Sequence, residues 1–165
     1  MNIFLPYEND IQKSVESLDD LRLNKQALEV YQLLSNAIKE QNGEEIKGYK
    51  NHPIYVHYKD NIRFLMAYGY RCCAEWQYRF HRTHNLTSAF MYCIASYGID
   101  IENISYVPFY MEGSKGKPNH IRTYDNVSEL YQQKLINKWQ NDKKPPKWTN
   151  REMPMFYKEY LGDNV

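Results

Sequence analysis

Apolar residues return at helical spacing from Asp19 to Gly43, where Ala27, Leu28, Tyr31, Leu34 and Ile38 line one side. This predicts a helix of about six turns stopped by Gly43, with a shorter helix over Asn9 to Ser17 before it. Pro53 suits a first helical position, and Ile54, Tyr58, Ile62, Leu65, Cys72, Trp76 and Phe80 follow at spacings built from threes and fours, predicting a second long helix interrupted near Gly69. "LTSAFMYCIASYG" reads as a shorter helix opened by Thr87 and closed by Gly98. Between Ile99 and Tyr124 proline and glycine punctuate too often for regular structure, which predicts a long irregular loop. Helix resumes after Asn126, which with Glu129 resembles a capping box, and runs through Leu130, Tyr131, Leu135 and Trp139. Pro145, Pro146 and Pro154 then hold the tail "KKPPKWTNREMPMFYKEY" extended or irregular. The pattern as a whole predicts one mainly α, compact helical domain over 1–165, with a long irregular loop and an extended C-terminal arm.

Composition narrows the partners. No window approaches the run of about 18 apolar residues that a bilayer helix needs, and the start "MNIFLPYEND" lacks the basic-then-apolar order of a secretion signal, so a cytoplasmic protein is expected. Cys72, Cys73 and Cys93 are odd in number and read as buried thiols, not a disulfide framework. With a net charge of +1, any nucleic acid must be held by a local basic patch. Sixteen tyrosines fit a gripping surface, or a compositionally biased genome.

Four groupings carry candidate chemistry. Asp19, Arg22, Gln26 and Glu29 share a face of the first long helix, either as solvated ion pairs or as a carboxylate and a guanidinium facing a cleft. "GYKNHP" puts Lys50, Asn51 and His52 at a helix entry, where free N–H groups favour an anion; Asn51 is the expected cap and Lys50 and His52 the contacts to ligand. Lys115, Lys117, His120 and Arg122 in "GSKGKPNHIR" form a basic loop without the spacing of a phosphate-binding P-loop. In the tail, Lys143, Lys144, Lys147 and Arg151 interleave with Trp148, Phe156, Tyr157 and Tyr160, as a stacking platform on nucleic acid does, or as an arm packing its rings on the core does. His81 and His84 in "HRTH" have no nearby acid or thiol in sequence, so no metal is expected, and no cofactor.

From "MNIFLPYEND" through "LDDLRLNKQALEVYQLL", "GYKNHPIYVHY" and the "FL" of "NIRFLMAYGY" to the tail, the chain resembles the pyrimidine-dimer DNA glycosylase family, also called endonuclease V, with its phage and bacterial relatives. "RLNKQ" and "GYKNHP" carry most of the likeness. The resemblance implies a helical domain whose N-terminal α-amine attacks C1′ of a damaged nucleotide, forming an imine that permits strand cleavage by β-elimination. It implies catalytic roles for Met1, Arg22 and a carboxylate, and contacts from Lys50 and from the tail between Trp148 and Tyr157; the loop from Ile99 to His120 has no counterpart in it. With the groupings above, the candidate ligand contacts are Asn2, Lys25, Gln26, Lys50, Asn51, His52, Lys115, Lys117, Lys147, Trp148, Arg151 and Tyr157. The family's glutamate directly follows its arginine; here that residue is Leu23, leaving Asp19, Asp20 or Glu29 to substitute. Asn2 is large enough to keep the initiator methionine in place, so the amine is that of Met1. The implied activity is a DNA glycosylase with abasic-site lyase activity on a damaged or modified base of the pyrimidine-dimer type. The alternative is a non-catalytic binder of nucleic acid or a nucleotide on the same scaffold, for example a phage counter-defence factor.

Overall fold

The computed structural model describes residues 1–114, 117–121 and 126–163, with side chains at 1–112 and 126–162. Asp10 opens α1 (Ile11–Glu16) by accepting a 2.9 Å hydrogen bond from the Lys13 N–H, and α2 (Asp20–Gln41) follows after a break of three residues. Gly43, with φ +77°, ends that helix in the left-handed region, as the sequence predicts. The buried stripe of α2 is Leu23, Ala27, Val30, Leu34 and Ala37, which faces α4 (Ile62–Phe80) in the main helix-on-helix contact of the core.

The second long helical pattern is broken earlier than its glycine suggests. α3 (Pro53–Tyr58) ends at Lys59, and Asn61 opens α4 by accepting from the Phe64 N–H at 3.2 Å. Gly69 lies inside α4 for a packing reason: a Cβ there would sit 2.2 Å from the ring of Phe90, which α5 (Thr87–Tyr97) presses against it. Glycine at this position is a point of close approach, not a hinge.

Two further elements lie where irregular chain is expected. Tyr110–Ser114 and Lys117–Ile121 pair antiparallel as β1 and β2, with Tyr110 opposite Ile121 and Gly113 opposite Pro118. The arm is irregular from Asp142 to Pro154, then forms α7 (Met155–Asp163), whose first bonds run from the Tyr157 and Lys158 N–H groups to the Pro154 carbonyl. Prolines stop a continuous helix here yet permit one immediately beyond the last of them. The rings of the arm turn inward: Trp148 meets Trp139 of α6 (Val127–Asn141) edge-on at 5.0 Å, and Phe156 stacks on Trp139 at 5.8 Å.

The N-terminal segment is threaded through the middle of this assembly. Ile3, Phe4 and Leu5 are consecutive and all buried, which neither a strand with one wet face nor an amphipathic helix would give. Its backbone is therefore satisfied by side chains. Gln26 donates from Nε2 to the Asn2 carbonyl at 2.7 Å and accepts from the Phe4 N–H at 3.0 Å, while the Tyr68 hydroxyl donates to the Phe4 carbonyl at 2.7 Å. Asn2 binds β1 in both directions, donating to the Met111 carbonyl and accepting from its N–H, each at 3.1 Å. Glu8 accepts from the Ser128 N–H at 2.9 Å and donates its own N–H to the Ser128 hydroxyl at 2.7 Å. This distant carboxylate caps α6 in place of the predicted Asn126–Glu129 box; the Asn126 side chain makes no capping hydrogen bond.

Candidate active site

The threaded N-terminus delivers the Met1 amine to a cleft of about 260 Å³ between α2 and α6, lined by Met1, Arg22, Lys25, Gln26, Glu29, Lys134 and Lys138 among others. On α2, Arg22, Lys25 or Gln26, and Glu29 are three or four residues apart and so present one face. On α6, Lys134 and Lys138 do the same from the opposite wall. The Met1 amine, Arg22, Lys25, Lys134 and Lys138 thus line the cleft together with the one carboxylate of Glu29, a balance of charge that favours an anion.

Burial decides the protonation of these groups. Partial burial holds the Met1 amine below its usual value of 8.0; Glu29 pulls it back up, and Lys138, Lys134 and Lys25 push it further down. Burial raises the Glu29 carboxyl above its usual 4.5 against the opposing charges of Lys25, the amine and Lys138. Lys138 is itself lowered by burial and by the neighbouring cations Arg22, Lys134 and Lys25. The amine and the carboxyl therefore move toward each other, which suits an exchange of protons between them near neutrality.

Arg22 lines the cleft but is tied to two carboxylates. It forks onto Asp142 at 2.8 and 2.9 Å and reaches Asp19 at 3.3 Å, and these contacts outweigh burial to raise its pKa. Asp19 is buried and also accepts from the Trp139 indole N–H at 2.8 Å. Lys25 reaches Glu29 at 3.8 Å with its side chain 74% exposed, leaving it available to a phosphate.

Asp20 lies outside this cleft. Its carboxylate accepts from the Thr149 N–H at 3.0 Å, the Thr149 hydroxyl at 2.5 Å and Arg79 at 3.0 Å, so it fastens the arm to α2. Arg79 is fully buried and also binds Glu75 at 2.8 Å; Glu75 in turn takes Arg151 at 2.7 Å. Arg151 is thus committed to Glu75, to Glu16 at 3.0 Å and to the ring of Tyr78 at 4.0 Å. Trp148 donates to the Ser17 carbonyl at 2.9 Å, and Tyr157 is buried with its hydroxyl accepting from Gln140 at 2.6 Å. Lys147 is exposed. Of the tail residues, the rings serve packing and the lysines face outward.

The "GYKNHP" turn uses Gly48 and Tyr49 in the left-handed region, at φ +72° and +55°. His52, and not Asn51, caps α3, its Nδ1 accepting from the Ile54 N–H at 3.2 Å. Burial, and secondarily the positive charge of the Met1 amine, lower the His52 pKa, though the imidazole does not line the Met1 cleft. Lys50 and Asn51 are exposed beside it. Lys115 lies outside the described residues, as does the side chain of Lys117.

The structure adds two site residues that the linear reading missed, Lys134 and Lys138. Their four-residue spacing in "KLINK" was the available signal, but nothing in sequence says which face of α6 meets the N-terminus. It also assembles one constellation unsuited to catalysis. Cys73 Sγ is 3.7 Å from His84 Nδ1, and His84 Nε2 is 2.7 Å from Asn24 Oδ1. His84 Nδ1 already accepts from the Leu86 N–H at 3.0 Å, so Nε2 carries the proton toward Asn24, and burial raises the Cys73 thiol to about 11. Burial thus keeps this thiol protonated and weakly nucleophilic at neutral pH.

A protein-family model described as pyrimidine dimer DNA glycosylase matches residues 1–88. Neither the curated proteins nor the solved structures give a match. The matched segment contains Met1, Gln26, Glu29, Arg22, Lys25 and the "GYKNHP" turn, whereas Lys134 and Lys138 come from beyond it. No described helix is long and apolar enough to cross a membrane.

Proposed function

The chain belongs to the pyrimidine dimer DNA glycosylase family, and on that premise we propose that it removes a damaged or modified base through its Met1 amine and then cuts the strand. The observation that carries the reading is the placement of that amine with Glu29 in one cation-lined cleft. The neutral amine attacks C1′ as the glycosidic bond breaks and the base leaves with the electron pair and a proton. Opening of the sugar ring then gives an imine between the Met1 nitrogen and C1′, whose electron withdrawal acidifies the C2′ proton and lets the 3′ phosphate depart. Glu29 is the proton carrier and the counter-charge to the developing sugar cation. Arg22, Lys25, Lys134 and Lys138 hold the flanking phosphates, and Gln26 fixes the amine's position through the Asn2 carbonyl. No cofactor enters this chemistry.

Leu23, which stands where the resemblance places the family's glutamate, is fully buried in the core. Glu29 supplies the carboxylate from two turns further along the helix. The same leucine supports a second reading, a binder of nucleic acid or a nucleotide that performs no chemistry. Borohydride trapping on duplex oligonucleotides carrying an abasic site or a pyrimidine dimer separates the two, with the modified residue identified by mass spectrometry. An adduct on the first residue together with a cut strand is the expected result. Tight binding without an adduct on either lesion selects the binder.

A further inference from the structure

Leu21 is 78% exposed, more than any other large apolar side chain among the described residues. It projects from the first turn of α2, and its mount is fixed on both sides. Asp20 donates its N–H to the Lys147 carbonyl at 2.8 Å and holds Thr149 and Arg79 through its carboxylate, while Arg22 forks onto Asp142. A floppy surface leucine needs no account, but this one is uncovered on an anchored stretch of backbone.

Leu21 also marks the border of two clefts. One is the Met1 cleft; the other, of about 520 Å³, is lined by Leu21 together with Lys143, Lys144, Pro145, Pro146 and Lys147 and three aspartates. Each of those aspartates is held in an ion pair, Asp19 and Asp142 with Arg22 and Asp20 with Arg79, while Lys143, Lys144 and Lys147 are exposed beside them. Cations therefore flank an apolar tip on two sides. A ligand that is anionic on both sides and apolar between them is duplex DNA, with its phosphates outside and its stacked bases within.

We infer that Leu21 is a wedge that enters the base stack beside the nucleotide presented to Met1, with Lys143, Lys144 and Lys147 gripping the backbone on the far side of the kink. The inference rests on the DNA reading above and adds to it how the duplex is opened. Apolar side chains inserted between base steps unstack them and bend the helix, which lowers the further cost of turning one nucleotide out. The lysine-rich arm, whose own rings are engaged in packing, thereby acquires a role that does not require stacking on bases.

The test compares the full chain with Leu21→Ala and Leu21→Met on an abasic-site duplex carrying 2-aminopurine beside the lesion, and on the same duplex with the lesion in an unpaired bubble. Wild type should raise the 2-aminopurine fluorescence on binding, and Leu21→Ala should abolish that rise. Its trapping rate should fall about tenfold or more on the paired duplex and stay within about twofold on the bubble, where unstacking is already complete. Leu21→Met should restore both signals. Equal loss on the two substrates, or no loss of fluorescence, overturns the wedge. If wild type traps normally and Leu21→Ala matches it, only the wedge fails; if wild type binds neither DNA, the DNA reading fails with it.

Discussion

The side chain of Gln26 donates to the Asn2 carbonyl at 2.7 Å, one residue from the Met1 amine, and thereby sets where that amine can go. Its oxygen accepts from the Phe4 N–H at 3.0 Å and lies 2.9 Å from the Tyr68 hydroxyl, whose one proton is shared with the Phe4 carbonyl, so the clamp is also tied to α4. Gln26→Ala should lower stability by about 1–3 kcal/mol for each buried group left without a partner. It should also slow adduct formation by about a hundredfold at saturating DNA, because a misplaced nucleophile loses most of its advantage. Thermal unfolding and the single-turnover trapping rate check the two parts separately.

Glu29→Gln should reduce the trapping rate by about 10²–10⁴, the range for loss of a positioned proton carrier. Binding of the abasic duplex should hold or tighten, since a negative charge has left a site built for phosphates. Asp20→Asn should do the reverse: its effect falls on melting temperature, through the contacts to Thr149 and Arg79, while turnover per folded molecule stays near wild type.

The pH profile of trapping has a direction fixed by the cleft. Only the neutral amine reacts, and burial with three lysines holds its pKa below 8.0, so the rate should rise through a midpoint below pH 8.0 and then level. Lys134→Ala with Lys138→Ala removes two charges that lower the amine's pKa, so the midpoint should move to higher pH. Glu29→Gln removes the charge that raises it, so the midpoint of the residual rate should move to lower pH. Identical midpoints in all three proteins would mean that the titrating group is not this amine.

The same double lysine variant should weaken DNA binding and flatten its salt dependence. Each phosphate contact contributes a slope of about −0.9 in log K against log salt, so two lost contacts should reduce the slope by about two. A fluorescence-anisotropy titration at several salt concentrations measures it.

Gly69→Ala should cost about 1–3 kcal/mol, the usual range for overpacking, because its Cβ would fall 2.2 Å from the Phe90 ring. Trapping per folded molecule should not change, since neither residue lines the Met1 cleft. Urea denaturation of Gly69→Ala, Phe90→Leu and the double variant should show the two changes partly compensating.

Much of the architecture was readable from spacing alone. The Gly43 and Gly98 stops and the Thr87 start are local signals, and local physics is enough to place them. The stripe of α2 was placed only in part: Ala27 and Leu34 are buried and Tyr31 and Ile38 half-buried, but Leu28 is exposed, and Leu23, Val30, Leu33 and Ala37 complete the buried face. What escaped were relations between distant parts of the chain. Gly69 looked like an interruption because glycine's local cost is visible in sequence and its packing against Phe90 is not. Asn126 looked like a cap because the competing carboxylate, Glu8, is far away along the chain. The tail showed an evenly mixed basic and aromatic pattern, and only its docking on Trp139 reveals that rings and cations face different ways. Among three candidate carboxylates, helical phase could not decide which one meets the N-terminus; the thread of Ile3 to Leu5 through the core does.

The Glu8–Ser128 hydrogen bonds join positions far apart along the chain, and the cleft inherits that separation. Met1 and Glu29 lie early in the sequence, while Lys134 and Lys138 lie far along it. An incomplete chain thus carries the amine and Glu29 without their opposite wall, and has neither the lysines that depress the amine's pKa nor those that grip phosphate. The cleft is therefore complete only once α6 has docked beside the N-terminal thread, and the Glu8–Ser128 pair is one of the contacts that dock it.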